Sequence, residues 1–520
     1  MFSPRITTFA GALTLLLMPG ALAQSGGTLR IAYSAVKQLD PFKPASDDEI
    51  NVSSQIFDTL VYTDQKVQVK PLLATSWSAP DSTTWVFNLR HGVKFQDGNA
   101  VFAKGKGREV VAADVVYSIN RFIKTSTLFT LGDIASVRAV NPYTVEIKTG
   151  KPNPLLVSDP NRLSRVAIVP HEGVEKLGEA GFAKSPVGSG PFTLRPYTPN
   201  GTITLDRNPS YWLPTKLGQV QFIYLPDPTV ATLAVQGGRV DVVSYLLNVD
   251  SANQLAQQPT VKLIEGPGSY RGLGFNVRTA PFDDFAVRDA ISKAMDIDGA
   301  YKSVLGTNAI RAYGQVPPWV PFGYDPSLKN LWSYDPKAAA AELTKAGYAK
   351  NAAGLWAKDG KPLSFDLKTI AGSQVRVLTI LVTQLKDFGI DARILQQDVA
   401  VWASDLGKGN NTGLFFDYSF AATTGLYALF GGDNIGSSNT HMYKNAEVDA
   451  LFAKALVNPN ATQRAAQWKQ AQRLIMKDKV AIPLYFEKGY AVVGKNVQDF
   501  YPAFANLKLV SPSNNVTISK

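Results

Sequence analysis

The 520-residue chain contains no cysteine. That absence excludes disulfides, thiolate metal centres and cysteine nucleophiles. It also excludes a lipid attached through an N-terminal cysteine. Histidine occurs only three times, so a transition-metal site built on imidazoles has little material. After residue 23 no apolar run approaches the ~20 residues needed to span a bilayer. Catalytic motifs are missing as well. Gly105-Lys106-Gly107 is not completed by the Gly-Lys-Ser/Thr of a phosphate-binding loop. Gly188-Ser189-Gly190 lacks the Gly-x-Ser-x-Gly spacing of a nucleophile elbow and reads as a tight glycine turn. No histidine has a supporting acidic motif. The chain is therefore expected to have no catalytic residues, no resident metal and no cofactor.

What is present fits a globular protein. Hydrophobic residues make up 45% of the chain, and a prior of ~150 residues per domain suggests about three domains. The formal net charge is +11, but the basic residues are scattered. Only Lys104, Lys106 and Arg108 cluster, in a stretch over 102–108 that reads as a solvated basic loop. A nucleic-acid binder would carry a basic stripe interleaved with aromatics, so no nucleic-acid partner is expected. Residues 1–23 read as a secretory signal: Arg5, an apolar stretch from Phe9 to Met18, and Ala21-Leu22-Ala23 as a small-x-small cleavage site. An exported protein, free in the periplasm and monomeric, is the expectation.

Periodicity supplies the elements. Thr28 to Tyr33 reads as a strand, and residues near 48–60 as a helix. Trp85, Phe87 and Leu89 alternate as a half-buried strand. His91-Gly92 then predicts a turn into a second short strand through Val93 and Phe95. Val115, Ile119 and Phe122 give one apolar helix face. Tyr143, Val145 and Ile147 alternate again. Glu265-Gly266-Pro267-Gly268 breaks the composition between two strand-like runs and predicts a crossover. Val287, Ala290, Ile291 and Ala294 form a helical stripe. So do Leu378, Leu381, Val382 and Leu385, ended by Gly389. Two more stripes follow, through Val448, Leu451, Phe452 and Ala455 and through Ala465, Trp468, Ala471 and Ile475.

Several blocks then carry a resemblance. They are Pro71-Leu72-Leu73-Ala74-Thr75-Ser76-Trp77, the run from Trp85 to Gly98, and Ala113-Asp114-Val115-Val116-Tyr117-Ser118-Ile119-Asn120-Arg121-Phe122. Leu39-Asp40-Pro41-Phe42, Asn208-Pro209-Ser210-Tyr211-Trp212, the run from Val287 to Asp296 and Ile482-Pro483-Leu484-Tyr485 follow in the same order. Together, over about residues 27 to 510, the chain resembles the extracytoplasmic solute-binding proteins of the peptide/nickel-binding family. These are the capture subunits of ATP-binding-cassette importers. The resemblance implies an α/β, two-lobed periplasmic-binding-protein fold with mixed sheets, a hinge and a cleft, plus a third, smaller domain inserted in lobe one. It places lobe one at 24–265, with the insert at about 65–186, lobe two at 266–480, and a return to lobe one at 481–520. The implied partners are a small-molecule solute and membrane permease subunits.

The resemblance also suggests which residues face the solute. Ser34, Ala35 and Val36 follow the first strand. Tyr270 and Arg271 lie at the lobe crossover, and Arg271 is the candidate for an anionic group. Trp402 stands where peptide binders place a cleft aromatic, with Phe420, Tyr427 and Asn439 as further candidates. Peptide-binding relatives carry a Gly-Trp pair followed by an Asp that meets the ligand's ammonium. Here the Gly-Trp pair is missing, and Thr423 or Thr424 stands in place of the Asp. A hydroxyl brings no counter-charge, which puts ordinary free-amino peptides in doubt; Asp417 is the acidic substitute. An opine, a saccharide derivative or a metal chelate is the alternative cargo within the family. His441 alone falls in the cleft half, which disfavours direct nickel ligation. A ligand-loaded sensor and a secreted hydrolase are the readings from other classes.

Overall fold

A computed structural model describes residues 26–519 except 127–130, 132, 245–248, 321, 371–374, 408, 410–412, 419–421 and 503–506. The predicted signal segment lies outside the described residues. Its core is an 11-stranded mixed sheet. On one side Thr28–Tyr33 runs parallel to Gln219–Tyr224, which continues antiparallel into Ile203–Arg207 and Phe192–Leu194. On the other, Ser364–Ile370 lies parallel to Asp391–Gln397 and, briefly, to Gly413–Tyr418. Two long antiparallel strands join the halves: Val261–Phe275 and Ala481–Gly494.

The first of these strands carries the stretch expected to be a crossover. Glu265-Gly266-Pro267-Gly268 does not end a strand. It is a bulge inside one continuous strand of 15 residues, with register shifts between Gly266 and Ser269 and between Arg271 and Gly272. The glycine is required by close approach. A Cβ on Gly268 would stand 1.7 Å from the Glu487 carbonyl oxygen. A bulge keeps the ladder while bending it, so the composition break marks a bend rather than an end.

Each half has its own apolar interior. One cluster gathers Leu29, Ile31, Phe42, Phe57, Phe87, Phe122, Phe182 and Phe192. Two others gather residues between 270 and 486, around Phe275, Ile291, Leu381 and Tyr485 and around Tyr270, Phe430, Phe452 and Trp468. The predicted helical stripes supply these interiors. Val115 and Ile119 are fully buried, as are Leu378, Leu381 and Leu385. Gly389 closes the latter helix at φ 103°.

A separate four-stranded antiparallel sheet stands beside the first half, made of Ala74–Ser78, Thr84–Leu89, Thr144–Thr149 and Ile134–Asn141. The hairpin partner of Thr84–Leu89 is the upstream strand, not the predicted run through Val93 and Phe95. Asp81 decides this. Its carboxylate accepts from the backbone N–H groups of Thr83 and Thr84 at 2.8 Å and so closes the upstream turn. Val93 and Phe95 are buried instead as anchors. The helix predicted over 48–60 stops at Ile56, and Val61–Thr63 is a strand. Nor is 102–108 simply a solvated loop. Val101 and Phe102 are buried, and Arg108 pairs with both Asp114 at 2.6 Å and Glu172 at 2.7 Å.

Candidate functional site

Between the halves lies a cavity of about 320 Å³, at the small end of the ~300–1,000 Å³ range of ligand pockets. One wall comes from the first half: Val69, Trp77, Trp85, Leu155, Val157 and Asp159. The facing wall comes from the second: Val320, Phe322, Thr423, Thr424, Arg464 and Trp468.

Local structure explains how each side chain arrives there. Trp77 and Phe87 pair across the hairpin, and Trp85 is pinned where its indole Nε1 donates to the Asn153 carbonyl at 3.2 Å. Asp159 caps the short helix Leu155–Ser158. Arg464 and Trp468 are four residues apart on helix Ala461–Lys477, so they share a face. Phe322 has φ 67° and is 65% exposed. The next residue, Gly323, has no room for a side chain, because a Cβ there would stand 2.4 Å from Thr423 Cγ2.

Among the described residues a hydrogen bond crosses the cavity. The Thr424 hydroxyl donates to Asp159 Oδ2 at 3.0 Å, linking residues 265 positions apart. Asp159 also accepts from the Asn161 N–H at 2.9 Å. Arg464 donates to the carbonyls of Asn458 and Pro459 at 2.7 and 3.4 Å and pairs with no carboxylate among the described residues. Burial holds its guanidinium below the usual arginine range.

The residues singled out from sequence divide clearly. Thr423 and Thr424 line the cavity. The backbone N–H groups of Ser34 and Ala35 are engaged by Asp48 Oδ2 at 2.8 and 3.0 Å, and Val36 is buried in the first interior. Tyr270 is fully buried against Phe486, and burial raises its phenol. Arg271 bridges the two crossover strands to Glu487 at 3.0 Å. Trp402 packs with Leu406 against the second half's interior. Tyr427 lies edge-on to Phe452, with its carbonyl accepting from Asn434. Asn439 is fully buried and clasps its own loop, donating to Gly431 and Tyr443 carbonyls. Phe420 lies outside the described residues. Asp417 falls in strand Gly413–Tyr418, its backbone opposite Arg271. His441 is buried, stacks on Phe430 at 4.8 Å, and is held down to about 4 by desolvation.

Asp159, Arg464, Phe322 and the two hairpin tryptophans were not singled out as site residues from sequence. Local spacing gives Asp159 an ion-pair partner three residues on, Arg162 at 3.9 Å, but does not mark its contact with Thr424 from the other half. Among the described residues one cluster could hold a metal ion, Asp114, His171 and Glu172, but Arg108 already neutralises both carboxylates.

A family model described as bacterial extracellular solute-binding proteins, family 5 middle, matches residues 68–436. The glutathione-binding protein GsiB of Shigella flexneri serotype 5b is 28% identical over 482 residues, covering 89% of each chain. The same fold recurs in HbpA2 from Haemophilus parasuis, with TM-score 0.80 and 23% identity over 95% of this chain and 100% of that one. It recurs in NikA from Brucella suis in complex with Fe(III)-EDTA, with TM-score 0.79 and 23% identity over the same shares. With the match spanning most of the chain and a cavity lying between two lobes, the protein belongs to the family 5 bacterial extracellular solute-binding proteins, the substrate-binding components of ATP-binding-cassette importers.

Proposed function

We propose that this chain captures a small, polar, peptide-like solute between its lobes in the periplasm and hands it unchanged to a membrane permease. The observation that carries the reading is the cavity itself, walled by both lobes and crossed by the Thr424–Asp159 hydrogen bond. A solute held there touches both lobes and so favours the closed arrangement by its extra contacts. Thr423 and Thr424 serve this role from the second lobe. The lobe limits at 265 and 481 belong to the same reading, since both crossover strands run through them.

The protein acts as a monomer, without catalysis and without a nucleic-acid partner. The N-terminal segment is removed on export near Ala23, and no lipid anchor follows because there is no cysteine. His441 has no part in cargo capture, since its ring lies in the second lobe's interior.

The test is a panel of dipeptides, opines, oligosaccharides and metal chelates offered to the purified mature chain. Thermal unfolding and X-ray scattering read the outcome. A cargo raises the melting temperature and makes the protein more compact. Mass spectrometry recovers it unaltered. Recovery of a chemically changed molecule overturns the reading, as does a panel that never compacts the protein.

A further inference from the structure

A second cavity lies in lobe two. It measures about 370 Å³, within the ~300–1,000 Å³ range of ligand pockets, and shares no lining residue with the interlobe cavity. Arg311, the last residue of the strand Ala309–Arg311, forms part of its wall. That side chain is only 9% exposed, and its Nε stands 3.5 Å from Asp298 Oδ2. Its Nη1 donates to the carbonyls of Ala312, Pro483 and Leu484. Its Nη2 meets no protein acceptor among the described residues. Burial holds the guanidinium below the usual arginine range.

Two acids and two cations line this cavity, and both acids are already committed. Asp296 caps the helix Ile297–Leu305, where its carboxylate accepts from the Gly299 N–H at 2.9 Å beside the positive end of that helix. Asp298 pairs with Lys302 at 3.1 Å as well as facing Arg311. Lys329 is exposed and pairs with no carboxylate among the described residues. The charge left over is positive. Aromatic rings complete the walls. The Trp332 indole is fixed by its bond to the Tyr313 carbonyl at 2.8 Å, with Lys479 Nζ 3.8 Å from its ring centre. The Arg311 guanidinium carbon lies 5.0 Å from the Tyr313 ring centre. Tyr334 is 58% exposed.

We propose that this cavity is a second binding site, for a small oxyanion that carries a planar apolar group. Carboxylate or phosphate oxygens accept from Arg311 Nη2 and from Lys329, since the guanidinium fork suits such groups. The planar portion lies against Tyr334 and Trp332. Other charge patterns fit worse. A cation would meet Arg311 and Lys329 with both acids engaged elsewhere. A neutral apolar solute would cover Arg311 Nη2 without giving it an acceptor. The site goes beyond capture in the gap between the lobes, and it touches the hinge. Leu484 is the extra residue at the register shift opposite Arg271 and Gly272, and Arg311 holds its carbonyl at 2.9 Å. An oxyanion here therefore contacts the guanidinium that braces an irregular point of a crossover strand.

The test titrates phenylacetate, phenyl phosphate, phenylacetamide and acetate into the purified mature chain, followed by ligand-observed NMR. Phenylacetate or phenyl phosphate binds at least about tenfold more tightly than phenylacetamide, the step expected of a charge-assisted hydrogen bond. The tighter of the two names the head group. Acetate binds more weakly than phenylacetate for want of the ring. Lys329→Gln weakens the oxyanions about two- to fivefold, as for an exposed ion pair, and leaves phenylacetamide unchanged. Tyr334→Ala brings phenylacetate down to the level of acetate. Arg311→Lys weakens both oxyanions further; should it fail to fold, the two surface variants still decide. Equal binding of phenylacetate and phenylacetamide overturns the proposal. So does indifference to both surface substitutions, and so does the absence of saturable binding at millimolar concentration. Loss of binding in Thr424→Val would put the oxyanion in the interlobe cavity and overturns it too.

Discussion

Phe322 holds φ 67°, a left-handed backbone that a bulky side chain rarely adopts. Such strain costs on the order of 1–3 kcal/mol and gathers where binding needs a side chain held in place. Here the strain presents an exposed ring to the cavity. Phe322→Gly should leave the melting temperature unchanged or higher while weakening solute binding; a variant that loses stability and keeps its affinity would assign the ring to packing. His441 makes a second prediction. Burial lowers its imidazole from 6.5 to about 4, so between those values the unfolded chain binds the extra proton. Stability is then complete above about pH 6.5 and falls as the pH drops towards 4, by up to about 3 kcal/mol at 1.36 kcal/mol per pH unit. Urea midpoints across that range should show the slope, and His441→Gln should flatten it. At this scale sequence was least informative. Thr423 and Thr424 could be placed by resemblance, but Asp159 faces them from 265 positions away, and no local pattern encodes a meeting of that kind. Asn439 shows the converse, since its polar tip in the sequence does not reveal that the Gly431 and Tyr443 carbonyls engage it.

Helix Ala112–Thr125 shows why elements were easier to read. Its apolar spacing puts Val115, Ile119 and Phe122 in the interior, and the same helix carries a buried ion-pair hub. Arg121 meets Asp40 at 2.6 Å and Glu179 at 2.6 Å, with its guanidinium over Phe42. The pair holds the helix to the segment that follows the first strand. Removing Asp40, the buried partner, leaves the guanidinium only the half-exposed Glu179, at a cost of up to about 3 kcal/mol. Asp40→Ala should therefore lower the denaturant midpoint sharply, while Lys43→Ala, at the exposed edge of the same cluster, should change it little. Periodicity makes stripes legible because burial on one helical face repeats every turn. Pairing is less legible. The strand Thr84–Leu89 is legible, but turn signals stand on both sides of it, at Asp81-Ser82 and at His91-Gly92, and it is the upstream one, closed by the Asp81 carboxylate, that makes the hairpin. The Gly-Pro-Gly stretch marks the crossover, but its composition does not show that the ladder continues through it as a bulge.

The whole-molecule architecture was legible because ordered blocks spread over most of the chain resembled one family, and that family has one layout. The bending point was not, because bulge and break share a composition. Gly268→Ala tests it. The Cβ must displace the Glu487 carbonyl 1.7 Å away, so the variant should loosen the two crossover strands. Hydrogen exchange should rise along Val261–Phe275 and Ala481–Gly494, with the four-stranded sheet unaffected.

Those two strands also govern what kind of motion the protein can make. A hydrogen-bonded ribbon resists torsion and sliding, since either would shear its ladder, and it yields most readily by flexing where register is already irregular. Opening is then close to a single-axis swing, like a book on its spine. One spectroscopic ruler, with labels on engineered thiols either side of the gap, would follow the full cycle, and the chain has no native thiol to compete for the dye.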